Sequence, residues 1–183
     1  MDHKTEHKNI WIFHHYATPP TMNGPIRPYN FGVHLNKIGY KIKVFAASYI
    51  HLSGINLINN NDLYIINEDT QIPFIFIRTY SSSNGFGRVL NMLSYYKNLF
   101  STTKQFISKG EKPDLIIASS PHPLTMVAGI KIAKKLQVPC ICEVRDFWPE
   151  VLFLGGRIRE KSILGRILIK VEHWIYKEAD ALI

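Results

Sequence analysis

The sequence predicts an α/β fold in which a parallel sheet carries helices on both faces. Short, unbroken apolar runs such as residues 114–118 suit strands that are buried on both sides. Between such runs the apolar residues change to a helical period, as they do from Leu124 to Gln137. Strands joined through a helix pair in parallel with a right-handed connection, so the alternation predicts a parallel sheet.

The first strand, helix and second strand occupy residues 9–47. Residues 9–16 are β-branched and aromatic and predict a first, central strand that closes with His14 and His15. After a turn-rich loop, we expect Pro25 at the first position of a helix that reaches Ile38 and ends at Gly39. Residues 41–47 predict the second strand.

The middle of the chain is less regular. Glycine, asparagine and aspartate interrupt residues 52–69, which predicts an insertion that holds a hairpin or a flexible loop. Residues 72–80 predict a strand and residues 81–87 a flexible connector. A long helix over residues 88–108 has a face rich in aromatic side chains, which either packs on the sheet or, in its first turns, meets a lipid surface.

A second strand, helix and strand unit follows, with polar residues at the end of each strand. Two prolines, Pro121 and Pro123, stop the strand over residues 114–118, and residues 138–142 form its partner. Ligands of open parallel sheets bind beyond the carboxyl ends of the strands, so we expect residues 119–122 and 145–150 at one functional edge. A last helix spans residues 163–175, and residues 179–183 predict the opening of another strand.

Composition bounds the class of protein. With 183 residues, of which 46% are hydrophobic and 20% charged, the chain is expected to form one domain. The formal charge of +8 favours an acidic partner, either a nucleotide phosphate or an anionic membrane, whereas nucleic acid has only the basicity in its favour. We expect residues 1–8 to be a disordered tail.

Several classes are disfavoured. No signal peptide and no run of roughly 18 apolar residues occurs, which predicts a cytoplasmic protein, and Cys140 and Cys142 are expected to be reduced core residues. The loop after the first strand lacks G-x-G-x-x-G, which disfavours an NAD enzyme. The histidines are scattered rather than at ligand spacing, so we expect no metal and no other cofactor.

Several motifs resemble the amino-terminal domain of retaining glycosyltransferases of the GT-B type, family 4. Residues 143–150 read E-V-R-D-F-W-P-E, similar to the E-x-R-D-x-W-P-E of the L-fucosamine-transferase-like subgroup. Residues 35–44, L-N-K-I-G-Y-K-I-K-V, are similar to the family's L-x-x-x-G-H-x-V-x-V. The segments 16–29, 46–52 and 171–180 add to the resemblance, which covers most of the chain.

The resemblance implies two Rossmann-like domains that face a cleft. Residues 1–183 are then a single Rossmann-like, acceptor-side domain, the N-terminal half of a GT-B architecture. A C-terminal donor-binding domain would lie beyond this chain, so the isolated half is expected to be inactive. The implied reaction moves a sugar from a nucleoside-diphosphate sugar to a lipid-linked saccharide in bacterial O-antigen, capsule or colanic acid synthesis.

A membrane location follows from that acceptor. The implied place is the inner membrane face, where the +8 charge and the surface over residues 86–100 would anchor the domain to anionic lipid.

The resemblance and the edge of the sheet together nominate site residues. Asp146 would orient the acceptor hydroxyl or act as its base. His122 is the other catalytic candidate, since an imidazole can take a proton from a sugar hydroxyl, with a structural or merely exposed histidine as the alternative. Arg145 would bind phosphate or an acid. Trp148 either offers a ring face to a sugar or is a core residue, and Glu150 either binds the acceptor or sits near a following helix start.

Further substrate-binding candidates lie after the other strands. Gly24 would present backbone N–H groups to phosphate, or would only supply a turn with positive φ. Arg27 would contact phosphate or an anionic acceptor, with a solvated side chain as the alternative. Ser48 and His51 follow the second strand, and Ser119 competes with His122 for one place.

Two alternatives to a glycosyltransferase stay open. A sugar-nucleotide 2-epimerase of the same GT-B architecture would bind the nucleotide without needing a lipid acceptor. A Rossmann-like binding module would carry no chemistry.

Overall fold

The computed structural model describes residues 8–82 and 85–183. In chain order, the elements are β1 (Asn9–Phe13), α1 (Arg27–Lys37), β2 (Lys41–Ala47), β3 (Tyr49–Ile50), β4 (Ile55–Asn56), β5 (Tyr64–Asn67), β6 (Phe74–Ile77), α2 (Gly85–Ser108), β7 (Leu115–Ser119), α3 (Pro123–Leu136), β8 (Cys140–Glu143), α4 (Glu150–Leu154), α5 (Ile163–Glu178) and β9 (Ala181–Leu182).

The main sheet has the strand order β5-β6-β2-β1-β7-β8-β9. All neighbours pair in parallel except β5, which runs antiparallel to β6. The prediction of a central first strand is confirmed, and so is the strand predicted at residues 179–183, which contains β9. The prediction that residues 52–69 hold only a hairpin or a loop was partly wrong. Strands β3 and β4 form a hairpin, but β5 also pairs with β6 and becomes an edge strand of the main sheet.

Helices cover both faces of the sheet, as predicted. One face packs against α1 and is mainly aliphatic around Ile12 and Val44, with Phe74 and Phe76 stacked on β6. The other face packs against α2, α3 and α5, and its core is aromatic around Trp11, Phe45 and Phe106. The architecture is a Rossmann-like α/β sheet.

Two helical glycines allow close approach between helices and sheet. A Cβ on Gly32 of α1 would lie 2.5 Å from Cδ1 of Ile72, and one on Gly129 of α3 would lie 2.5 Å from Cβ of Ala118. Cβ of Ala118 has no freedom to move aside, so α3 lies at a distance that only glycine permits, whereas at α1 the end of the Ile72 side chain would have to shift.

Some boundaries differ from the sequence prediction. Helix α1 begins at Arg27 with Pro28 in its first turn, so Pro25 is not the first helical residue. Helix α2 begins at Gly85, so the end of the predicted connector 81–87 is helical. Gly39 follows α1 with φ of 98°, which confirms the predicted stop.

The remaining expectations about the chain are met in part. The predicted tail lies outside the described residues except for Lys8, whose carbonyl accepts a hydrogen bond from N–H of Lys41 at 3.0 Å. Cys140 and Cys142 are free and buried in the aromatic core. Within residues 8–82 and 85–183, no helix has the length and apolar character needed to span a bilayer.

Candidate active site

The segments that follow β1, β7 and β8 meet at one edge of the sheet. The N–H of Ser120 donates to the carbonyl of Glu143 at 2.9 Å, and the N–H of Arg145 donates to Oγ of Ser120 at 2.9 Å. The N–H of His14 donates to the carbonyl of Phe45 at 3.1 Å, which joins the end of β1 to β2. The carboxyl edge therefore gathers polar groups from four strands.

On the α1 side of this edge, Glu143 links β7 to α1. Its carboxylate accepts hydrogen bonds from Oγ of Ser119 and from Nε of Arg27, the latter at 2.8 Å. Burial raises the pKa of Glu143, but the hydrogen bonds from Ser119 and Arg27 and the charges of Arg27 and Arg145 outweigh it, so the net pKa is lowered. The side chain of Glu143 is therefore a carboxylate at neutral pH.

Next to it, Arg145 is anchored on a buried histidine. Nη1 of Arg145 donates to Nε2 of His14 at 2.9 Å. Burial, reinforced by the Arg145 charge, lowers the pKa of His14 to about 4 despite the opposing effect of Glu143. His14 is thus a neutral acceptor that holds the guanidinium, while the Arg145 residue itself is exposed.

On the α2 and α3 side, His15 and His122 form a buried pair. Their Nδ1 and Nε2 atoms, respectively, lie 2.5 Å apart, and Nε2 of His15 lies 2.6 Å from Oδ1 of Asn91. The His15 ring stacks on Tyr95 at a centroid distance of 4.5 Å. His122, only 1% exposed, precedes the first residue of α3.

Burial keeps both imidazoles uncharged. It lowers the pKa of His122 to about 3, with further lowering by His14 and Arg88. Burial also holds the pKa of His15 well below 6.5, with His122 adding to the effect and the Asn91 hydrogen bond opposing it. The pair is neutral at pH 7.

The hydrogen-bond partners fix which nitrogens carry protons. Nδ2 of Asn91 donates to the carbonyl of Tyr80 at 2.6 Å, so Oδ1 is the atom that faces His15. Nε2 of His15 must therefore carry a proton, and its Nδ1 accepts from Nε2–H of His122. Nδ1 of His122 is left as a buried lone pair with no partner among the residues that the structure describes.

A cleft of about 120 Å³ opens beside this pair. It is lined by His15, Ala47 and the segments 16–18, 23–25 and 49–52. His51 stacks on Tyr16 at 5.6 Å, and its Nε2 lies 2.9 Å from Nη2 of Arg88. Burial and the Arg88 charge lower the pKa of His51.

Gly24, at the cleft, is required for a reason other than positive φ. Its backbone is not among the glycines with positive φ, so that alternative is wrong. A Cβ there would lie 2.6 Å from both Oγ1 and Cγ2 of Thr18. The glycine lets the loop after β1 close on itself, with the N–H of Thr18 donating to the carbonyl of Pro25 at 3.2 Å.

Asp146 and Trp148 lie at the same edge but open toward α3 and α5. Together they line a small pocket with Pro123 of α3 and with Glu172 and Tyr176 of α5. Asp146 is exposed and Trp148 half-buried. Ser119 faces Glu143 and α1, so Ser119 and Asp146 lie on opposite faces of the sheet at one edge.

Two candidates stand apart from these groups. Glu150 is exposed as the first residue of α4. Ser48 is buried, and its Oγ accepts a hydrogen bond from the N–H of Thr79 at 3.1 Å, which ties the end of β2 to the end of β6.

Seven of the nominated residues therefore form three adjacent groups. Gly24 and His51 share the cleft, Arg27, Ser119 and Arg145 surround Glu143 and His14, and Asp146 and Trp148 share the pocket beside α5. His122 lies buried between them. No cluster of three or more His, Cys, Asp or Glu side chains suited to a metal occurs within the described part of the chain.

Comparison with known proteins finds similar folds among solved structures. No protein-family model matches the chain, and no curated protein does either. Sucrose-phosphate synthase from Thermosynechococcus elongatus is similar with a TM-score of 0.50 and 12% identity, over 96% of this chain and 87% of that one. The catalytic domain of starch synthase IV from Arabidopsis thaliana, bound to ADP and acarbose, is similar with a TM-score of 0.50 and 13% identity, over 76% of this chain and 34% of that one.

Both solved structures are GT-B glycosyltransferases. At 12% and 13% identity the likeness shows the fold alone. The chain spans 34% of the starch synthase domain, so it corresponds to a part of that enzyme. This chain therefore has a Rossmann-like α/β fold similar to folds in these two enzymes.

Proposed function

We propose that this domain is the acceptor side of a glycosyltransferase that moves a sugar from a nucleoside-diphosphate sugar to a lipid-linked saccharide. The observation that carries the proposal is that Arg145 and Asp146 follow one another shortly after the end of β8. Arg145 is exposed and anchored through His14, and Asp146 opens onto the pocket beside Trp148. One strand end thus offers a guanidinium for phosphate and a carboxylate beside an aromatic ring for a sugar.

In the proposed reaction, these groups divide the work. Asp146 accepts a hydrogen bond from the attacking hydroxyl and aligns it, and Trp148 supports the apolar face of the sugar that carries it. Arg145 and Arg27 offset the charge that develops on the leaving diphosphate. His122 is 1% exposed and does not line the cleft, so its part is to hold the ring of His15, which does, through the hydrogen bond between the two imidazoles.

A second Rossmann-like lobe is part of the proposal. The starch synthase domain holds ADP and is about three times as long as the part that this chain covers, which supports a donor site built largely by another lobe. The family 4 assignment, the retained configuration and the role in bacterial surface polysaccharides rest on the octapeptide at residues 143–150. The lipid-linked acceptor rests on the same octapeptide.

The test is a transfer assay on the protein as its gene encodes it, with labelled nucleoside-diphosphate sugars and extracted polyprenyl-diphosphate saccharides. Asp146→Asn should lower kcat about 100-fold or more while folding is kept, because general acid–base groups contribute roughly 10²–10⁴. Arg145→Ala should lower kcat as well. Asp69→Asn and Lys41→Ala, at exposed positions near the opposite, amino edge of the sheet, are the matched controls.

The competing functions give different products. Epimerisation of the nucleotide sugar without any acceptor, seen by NMR, would identify an epimerase. Transfer at the wild-type rate by the Asp146→Asn variant would show that Asp146 takes no part in the reaction. Absence of turnover with every donor, combined with tight binding of a ligand, would favour a binding module.

A further inference from the structure

The surface formed by α4, residues 155–162 and the first two turns of α5 exposes large apolar side chains. Leu154 is 85% exposed and Ile163 is 82% exposed, and Val151, Leu164 and Ile167 are each about half exposed. A single exposed leucine is ordinary on a protein surface, but a contiguous apolar patch indicates a binding surface. We call this region the α4–α5 surface.

Backbone contacts hold the α4–α5 surface together as one unit. The N–H groups of Arg157 and Ile158 both donate to the carbonyl of Leu152, at 3.0 and 3.4 Å. Oγ of Ser162 accepts from the N–H of Gly165 at 3.1 Å and so caps α5. A Cβ on Gly165 would lie 2.4 Å from the carbonyl oxygen of Glu160, so the loop packs directly on the first turn of α5.

The same surface is strongly basic. Residues 155–170 carry five exposed cations against one carboxylate, Glu160; the cations are Arg157, Arg159, Lys161, Arg166 and Lys170. None of the five forms an ion pair with any residue in the described ranges. Ile163, Ile167 and Lys170 follow the helical spacing i, i+4, i+7, so apolar and cationic groups share one face of α5.

From this combination we infer that the α4–α5 surface lies on an anionic lipid bilayer. Exposed leucine and isoleucine side chains enter the acyl boundary, and the surrounding cations meet lipid phosphates. The inference deepens the proposed function by naming the surface on which the domain would meet a lipid-linked acceptor. It stands on exposure and charge and is measured without any sugar transfer.

The start of α2, which the sequence nominated for the same role, fits a bilayer less well. Phe86, Val89 and Leu93 are exposed there, but Tyr95 and Leu99 are fully buried in the core. Within residues 86–100 the cations are Arg88, which contacts His51, and the exposed Lys97. This segment therefore offers fewer cations to anionic headgroups than the five of the α4–α5 surface.

The position of the α4–α5 surface fits the acceptor pocket. Helix α5 continues from this surface to Leu168, Glu172 and Tyr176, which line the pocket of Asp146 and Trp148. A lipid-linked saccharide whose lipid stays in the bilayer would reach Asp146 along α5.

The experiment is vesicle sedimentation of the gene-encoded protein. The wild type should bind phosphatidylglycerol–phosphatidylcholine vesicles at low salt, lose binding as salt rises, and ignore pure phosphatidylcholine. Replacing Arg157, Arg159 and Lys161 together by Gln should lower the partition coefficient about 100-fold, since each basic residue near an anionic surface contributes roughly a factor of five. Ile163→Ser with Ile167→Ser should lower it as well.

A matched control separates the two candidate surfaces. Phe86→Ser with Val89→Ser removes comparable exposed apolar area from α2 and should leave vesicle binding unchanged. Loss of binding in this control alone, or no binding by the wild type at low salt, would overturn the inference. The inference would also be overturned if the wild type were a dimer and the Ile163 and Ile167 variant a monomer, because the α4–α5 surface would then bind a second copy of the chain.

Failure of this inference can be told from failure of the proposed function. Transfer to a water-soluble acceptor should be unchanged in the Ile163 and Ile167 variant, since neither side chain touches the pocket.

Discussion

Acidification should destabilise this domain through its buried histidines. His14 and His122 have pKa values lowered to about 4 and about 3, whereas in the unfolded chain they titrate near the ordinary 6.5. Below pH 6.5 the unfolded state therefore binds protons that the folded state does not. The contribution that the buried, neutral imidazoles make to the free energy of unfolding is complete above pH 6.5. It is lost progressively as the pH falls toward their folded-state pKa values.

The size of the loss follows from these shifts. For each such histidine, the free energy of unfolding falls by up to about 1.4 kcal/mol per pH unit below 6.5. Between pH 7.5 and pH 5.0 this comes to about 2 kcal/mol for each residue, and thus about 4 kcal/mol for His14 and His122 together. His15 shifts in the same direction. Glu143, with a lowered pKa, adds its own loss only in more acidic solution, so pH 5.0 isolates the histidines.

The assay is urea unfolding at pH 7.5 and pH 5.0, followed by the fluorescence of the buried Trp11. His122→Gln should lower the unfolding free energy at pH 7.5 but shrink its pH dependence by about 2 kcal/mol. His34→Gln, at an exposed position, is the matched control for the loss of one histidine. A wild-type change below about 1 kcal/mol between the two pH values would refute the reasoning.

Three further predictions concern packing, capping and tautomers. Gly129→Ala should cost about 1–3 kcal/mol of unfolding free energy through overpacking, because its Cβ would lie 2.5 Å from Cβ of Ala118, while Gly85→Ala, whose Cβ meets nothing within 4 Å, should not destabilise; equal values in urea unfolding would contradict this. Ser162→Ala should cost about 1 kcal/mol by removing the cap of α5, and an unchanged urea midpoint would contradict the capping role. Long-range ¹H–¹⁵N spectra should show the proton of His15 on Nε2, and a proton on Nδ1 in the wild type would contradict the assignment. Asn91→Leu should lower the free energy of unfolding by about 1–3 kcal/mol, because the buried Nε2–H of His15 loses its acceptor.

The parallel sheet could be predicted because its signals are local. The run at residues 114–118 and the helical period that follows it are visible within a few residues, and the carboxyl edge follows from the alternation of strands and helices. Strand β5 was missed because it is four residues long and takes its place only by pairing with β6. The start of α2 was missed because Gly85 and Gly87 have low helix propensity.

The interior of the candidate site could not be predicted in the same way. His14 and His15 were visible at the end of β1, but their partners are distant in sequence. Asn91 lies 76 residues from His15, and Arg145 lies 131 residues from His14. A burial that turns a histidine into a neutral acceptor is a property of the packed molecule, and no spacing rule in the chain expresses it.

Uncharged imidazoles at the centre of this edge also limit how its electric field can vary. His14, His15 and His122 gain no proton across the physiological range, so within the described part of this edge the charge near Arg145 comes from guanidinium groups, which hold their charge at any pH a cell reaches, and from the carboxylate of Glu143, which pairs with Arg27. An anion that binds beside Arg145 would therefore meet the same attraction in slightly acidic and slightly alkaline surroundings.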